Sequence, residues 1–126
     1  MKKVIVTDKA PGAIGPYSQA VQAGGFLFAS GQIPLDPTTG ELITGSIEDQ
    51  ARRVLENIKG LLESAGYAMG DVVKVLVFAA DIKDFAAINE IYAQYFTENP
   101  PARSFVAVKD LPRGAKVEIE VVAWKD

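Results

Sequence analysis

Between Asp71 and Asp81 the chain reads VVKVLVFAA. A β-strand turns successive side chains to opposite faces of its sheet, and here both alternating sets are apolar. Val73, Val75 and Val77 lie on one side, Leu76 and Phe78 on the other. Such a strand must be covered on both faces, because a strand with one wet face reads as apolar–polar alternation. The question is whether the rest of the chain can supply two covers.

Two segments carry helical periodicity. Ser46-Ile47-Glu48-Asp49 has the form of a capping box with Asp in the Glu position, so a helix is expected to begin near Ile47. Ala51, Val54, Leu55, Ile58, Leu61, Leu62 and Ala65 then follow the 3,4 spacing of one buried face, and Gly66 provides a stop. A second helix is expected from Asp84 to Phe96, with Phe85, Ile88, Ile91, Tyr92, Tyr95 and Phe96 toward the core, ended by Asn99-Pro100-Pro101. Strands are expected over Lys3–Thr7, Ser18–Ala23, Phe26–Ser30, Ser104–Val108 and Lys116–Trp124. Gly24-Gly25 suits a two-residue hairpin between the second and third. The segment from Gln32 to Gly45 has no clear periodicity.

The order βββαβαββ predicts a single α+β domain over residues 1–126, a six-stranded mixed sheet with two helices on one face. Two helices cover only one face, and no element remains for the other. A second copy of the chain is the simplest cover, so a homo-oligomer is expected.

Composition narrows the chemistry. There is no histidine and no cysteine among the 126 residues. A Ser–His–Asp triad, a Cys–His pair and a His/Cys zinc site are therefore impossible, and neither GxGxxG nor GxxxxGK[ST] occurs. No metal and no cofactor is expected. Thirteen basic against sixteen acidic residues leave a net charge of −3, which counts against nucleic acid as a partner. No stretch is long and apolar enough to span a membrane or to form a signal peptide. Absence of cysteine fits a reducing compartment, so a cytoplasmic location is expected.

Carboxylates, Lys, Arg, Tyr, Ser and backbone groups remain. In KVEIEVVAW, Glu118 and Glu120 share a strand face with Val122 and Trp124. Either both glutamates point to water, or partial burial raises the proton affinity of one, as a general base requires. Arg103 opens the preceding strand, between PPA and SFVAV. It is either a solvated surface charge or a fork for a substrate carboxylate. If the last two strands are antiparallel neighbours, Arg103 and the glutamates share one sheet. Upstream, GPYSQ and SGQIP combine turn residues with small polar ones, and Gly31 permits close approach to the backbone. Tyr17 is either a loop aromatic packed on a neighbour or a ligand contact.

IGPYSQA, SGQIP, DPTTGEL, QARRVLENIKGLLESAG, VVKVLVFAADIKDFAAINEIYAQYF, PPARSFVAV and KVEIEVVA occur in that order. Together they resemble the RidA (YjgF-type) family of reactive-intermediate deaminases across nearly the whole chain. The resemblance implies a chorismate-mutase-like fold assembled as a homotrimer, with sites at subunit interfaces. It also implies cofactor-independent hydrolysis of 2-imino and enamino acids, such as 2-iminopropanoate and 2-iminobutanoate, to 2-keto acids and ammonia. Pyridoxal-phosphate enzymes that dehydrate serine and threonine release these species, which implies a functional link to them.

Matched by motif, Arg103 of PARS corresponds to the arginine that binds the substrate carboxylate, and Glu118 of EIE to the residue that activates water. Tyr17, Ser30 and Gly31 correspond to pocket-lining residues, and Asn89 to a position often assigned to the pocket. The residue two after the arginine is cysteine in some members. Phe105 stands there in this chain, which leaves backbone contacts available but removes any thiol role. Other readings of the same pocket are a keto-acid-binding regulatory protein without turnover, a deaminase for larger or aminomuconate-type imines, and a ribonuclease or translation inhibitor. The acidic balance and the lack of histidine count against the last.

Overall fold

The first long helix forms where its caps and periodicity place it. In the computed structural model, which describes residues 1–126, α1 runs Ile47–Ser64. Its N-cap is Ser46, whose hydroxyl accepts a hydrogen bond from the Asp49 N–H at 3.1 Å. Beyond its end Gly66 takes φ +85°, the left-handed conformation that closes a helix at little steric cost. Ala51, Val54, Leu55, Ile58, Leu61 and Leu62 are all fully buried. The shorter α2, Phe85–Tyr95, buries Ile88, Ile91 and Tyr92 and packs against α1.

The strands are β1 (Lys3–Ile5), β2 (Ala20–Ala23), β3 (Phe26–Ala29), β4 (Val72–Ala79), β5 (Ala102–Ala107) and β6 (Val117–Trp124). They form one six-stranded sheet in the order β1-β2-β3-β6-β4-β5, mixed because β4 and β5 are parallel. The fold is therefore α+β, as expected. Gly24, at φ +59°, turns β2 into β3.

The last two strands do not form the expected antiparallel pair. β4 lies between them, parallel to β5 on one side and antiparallel to β6 on the other. The reason is the position of α2. A helix lying over the sheet returns the chain in the direction it left, so β5 enters parallel to β4. The most apolar strand thereby becomes central, with both edges paired. One detail of β4 also differs from simple alternation. The register slips between Val72 and Lys74, so Val72 is buried and Val73 is 45% exposed rather than aligned with Val75 and Val77.

The helix-covered face of the sheet holds Leu27, Val75, Val77, Ala79, Val117, Ile119, Val121 and Ala123, all buried. The opposite face is apolar and open. Phe26, Phe28, Val106 and Trp124 are 44–47% exposed there, and Leu76, Phe78 and Val122 are half-buried among them. No helix is long and apolar enough to cross a membrane.

Candidate active site

A cavity of about 480 Å³ opens beside β6. Strict alternation along β6 sends Val117, Ile119 and Val121 into the core and leaves Glu118 and Glu120 on the open face, half-buried. Both glutamates line the cavity. Glu118 is paired across β4 with Phe78, and burial among these apolar neighbours pushes its carboxyl above the ordinary range, with the negative charge of Glu120 adding to the effect. No protein donor offsets either influence. A carboxylate so placed holds a proton more tightly and is a stronger base than one in water.

The opposite wall comes from the segment after β3. Phe28 pairs with Val122, while Gln32 exchanges two backbone hydrogen bonds with Ile119, at 2.8 and 3.0 Å. Four steps along one segment thus match three along β6, the irregularity of a bulge. It carries Gly31 onto the carboxylate of Glu118. A Cβ at position 31 would overlap Glu118 Oε2 and lie 2.9 Å from its carboxyl carbon, so the close contact depends on glycine. Ser30 lies beside it, its hydroxyl donating to the Ser18 carbonyl at 2.6 Å. Tyr17 also lines the cavity and is half exposed.

Three lining residues were not foreseen as such from the sequence. Gln19 is buried, and its amide reaches Thr7, Ala10 and Pro11 carbonyls at 3.0, 3.3 and 2.8 Å while accepting from Thr7 N–H at 2.9 Å. It fastens the segment that closes one end of the cavity. Gln32 contributes the backbone pairing described above. Arg113 stands at the rim in a left-handed conformation, φ 58°, and donates to the Gly40 carbonyl at 2.9 Å. For the two glutamines the only sequence signal was the mixture of turn and small polar residues in GPYSQ and SGQIP, and Arg113 had none.

Arg103 is elsewhere. Its register partner is Val75, which lies under the helices, whereas Glu118 shares its row with Phe78 and Val106 on the open face. Within one chain the two charged groups therefore lie on opposite faces, with β4 between their strands. Arg103 Nη1 donates to Asn89 Oδ1 of α2 at 2.6 Å. Phe105, two residues along β5, has its ring centroid 5.5 Å from the guanidinium carbon. Arg103 and Asn89 line a second recess, with Tyr92, Phe96, Pro100 and Pro101. So Tyr17, Ser30, Gly31 and Glu118 are brought together, and so are Arg103, Asn89 and Phe105, but one chain does not join the two groups.

The first group offers a proton acceptor in a cavity. The second offers a guanidinium on the exposed edge strand with no carboxylate of its own.

Comparison with known proteins places these observations among relatives. The family model described as Endoribonuclease L-PSP matches residues 7–125. The chain is 57% identical to the RutC family protein PH0854 of Pyrococcus horikoshii over 126 residues, all of both chains. It is 49% identical to the 2-iminobutanoate/2-iminopropanoate deaminase of Homo sapiens, over 98% of this chain and 90% of that one. The crystal structure of Escherichia coli TdcF with bound serine superposes with a TM-score of 0.94 at 49% identity, covering 98% of this chain and 99% of that chain.

Proposed function

Since the chain belongs to the Endoribonuclease L-PSP family, the RidA (YjgF-type) family, we propose that it hydrolyses small 2-imino acids to 2-keto acids and ammonia at sites shared between subunits of a homotrimer. The observation that carries this reading is the division of the site. Arg103 sits on an edge strand, on the helix side, and Glu118 on an open apolar face. A neighbour docked on that face brings its own β5 edge toward the cavity. Three copies related head to tail close a ring, and each interface then holds one Arg103 and one Glu118 from different chains. The apolar side chains of the open face supply the contact area.

In such a site the Arg103 fork holds the substrate carboxylate by parallel charge-assisted hydrogen bonds. C2 of the imine then lies toward Glu118. Glu118 takes a proton from a water molecule as the water oxygen bonds to C2, giving a carbinolamine. That proton passes to the nitrogen, a second moves from the new C2 hydroxyl through Glu118 to the same nitrogen, the C–N bond breaks as C2–O becomes a carbonyl, and ammonia leaves. Every atom comes from imine and water. The human relative's name describes this substrate class, and the serine in Escherichia coli TdcF is a carboxylate ligand of matching size.

The reading is tested by generating imine with a serine or threonine dehydratase and following keto-acid release. The protein should raise the rate above spontaneous hydrolysis, and EDTA should leave the increase intact. No increase would overturn the proposal. An RNA-cleavage assay in parallel addresses the activity in the family's description.

The Gly31–Glu118 contact gives a sharper expectation. Gly31→Ala displaces the carboxylate, and a shift of about 1 Å in a catalytic group can cost about 10²-fold in rate. The variant should lose turnover on this scale while still binding the keto-acid product. Wild-type kcat in Gly31→Ala would show that the position of Glu118 does not matter.

A further inference from the structure

The surroundings of Arg103 go beyond a hydrogen bond to Asn89. Its guanidinium carbon lies 4.7 Å from the ring centroid of Tyr92, 5.5 Å from that of Phe105 and 5.9 Å from that of Phe85. Phe85 and Phe105 brace each other at 4.7 Å with their rings tilted by 59°. The three rings come from the start of α2, its last turn and β5, so helix and strand packing fixes their spacing.

A guanidinium has two faces and an edge of five N–H donors. Aromatic rings attract its charge but take none of its strong in-plane hydrogen-bonding capacity. Asn89 takes one donor at Nη1. The others stay free for an anion, to which a guanidinium forms charge-assisted hydrogen bonds. We propose that Tyr92, Phe105 and Phe85 form an aromatic cradle that fixes the Arg103 guanidinium with one edge free, making Tyr92 and Phe85 positioning residues for carboxylate recognition. This rests on Arg103 being the anion site of the function proposed above.

Tyr92 also supplies a way to separate ring from hydroxyl. It is only 7% exposed, and its hydroxyl is buried without a hydrogen-bond partner. An unpaired buried hydroxyl is unfavourable, so the useful part of the side chain is its face. Tyr92→Phe keeps that face.

The test uses the assembled protein with 2-oxobutanoate as a non-reacting ligand, measured by calorimetry, beside imine kinetics. Tyr92→Leu should weaken 2-oxobutanoate binding and raise KM by about 5- to 20-fold, the range of a partly desolvated cation–π contact, with little change in kcat. Tyr92→Phe should return both to within about twofold of wild type. Phe85, 40% exposed, tolerates replacement without threat to the core, and Phe85→Leu should weaken binding by about two- to fivefold. If Arg103→Ala loses affinity while Tyr92→Leu and Phe85→Leu keep it, the cradle is overturned and the anion site stands. Tyr92→Phe as damaging as Tyr92→Leu would also overturn it, by assigning the effect to the hydroxyl. Unchanged affinity in Arg103→Ala would overturn the anion site and the cradle together.

Discussion

Glu118→Gln should lower kcat by about 10²–10⁴-fold, the usual contribution of a positioned proton-transfer group. The substitution is nearly isosteric and keeps the contact with Gly31, so 2-keto-acid binding should change little. A loss confined to kcat would mark a group that acts in the transition state. The pH dependence follows from the same residue. Burial and the charge of Glu120 raise the Glu118 pKa, so the base is lost to protonation at a higher pH than for an ordinary carboxylate. With substrate bound, its carboxylate offsets the charge of the neighbouring Arg103. The acid limb of kcat should then lie above the usual carboxylate value of about 4.3. Glu120→Gln removes one of the two causes. It should move that limb to lower pH with only a small effect on the plateau. Wild-type kcat in Glu118→Gln, or abolition of turnover by Glu120→Gln alone, would remove Glu118 from the role of base.

Arg103→Ala should reduce kcat/KM by about 30- to 1000-fold, as expected when a bidentate charge-assisted contact to the substrate is lost. Arg103→Lys should recover only part of this, since a point charge does not reproduce the planar fork. The decisive experiment combines the two inactive variants. If each site takes Arg103 from one chain and Glu118 from the next, a trimer assembled from Arg103→Ala and Glu118→Gln chains contains some sites with both groups intact. Random assortment from equal amounts leaves about a quarter of all sites intact, and about a third of those in trimers that contain both kinds of chain. Co-expression followed by purification through two different tags should therefore give an active protein from two inactive ones, sedimenting as a trimer. A site contained within one chain predicts no recovery, and a well-behaved monomer in sedimentation would exclude the shared site.

The residues that carry these predictions were legible in the chain for different reasons. α1 could be read almost to the residue because its determinants are local. Ser46 caps it, apolar side chains recur at 3,4 spacing within one turn of each other, and Gly66 follows it. The doubly apolar β4 pointed to a cover for the second face, and the open face carrying Phe26, Phe28, Val106 and Trp124 is the surface that needs it. Alternation along β6 already put Glu118 and Glu120 on the same side as Val122 and Trp124. PARS, EIE and SGQIP named the groups with chemistry.

Neighbours far apart in sequence decided the rest. That β4 separates β5 from β6 depends on how α2 lies over the sheet. The bulge that sets Gly31 on Glu118 depends on register between segments some 90 residues apart, where slipping by one residue reverses every side chain. Phe85 and Tyr92 read as core positions of a helix, and only the packing of α2 beside β5 turned their rings toward Arg103. By itself the sequence determined which segments are helices and strands and which side chains hold charge, because those properties arise from each residue and its near neighbours. The tertiary structure alone decided that Arg103 and Glu118 face opposite ways, because a side chain's face is set by strand order and register, which no local pattern contains.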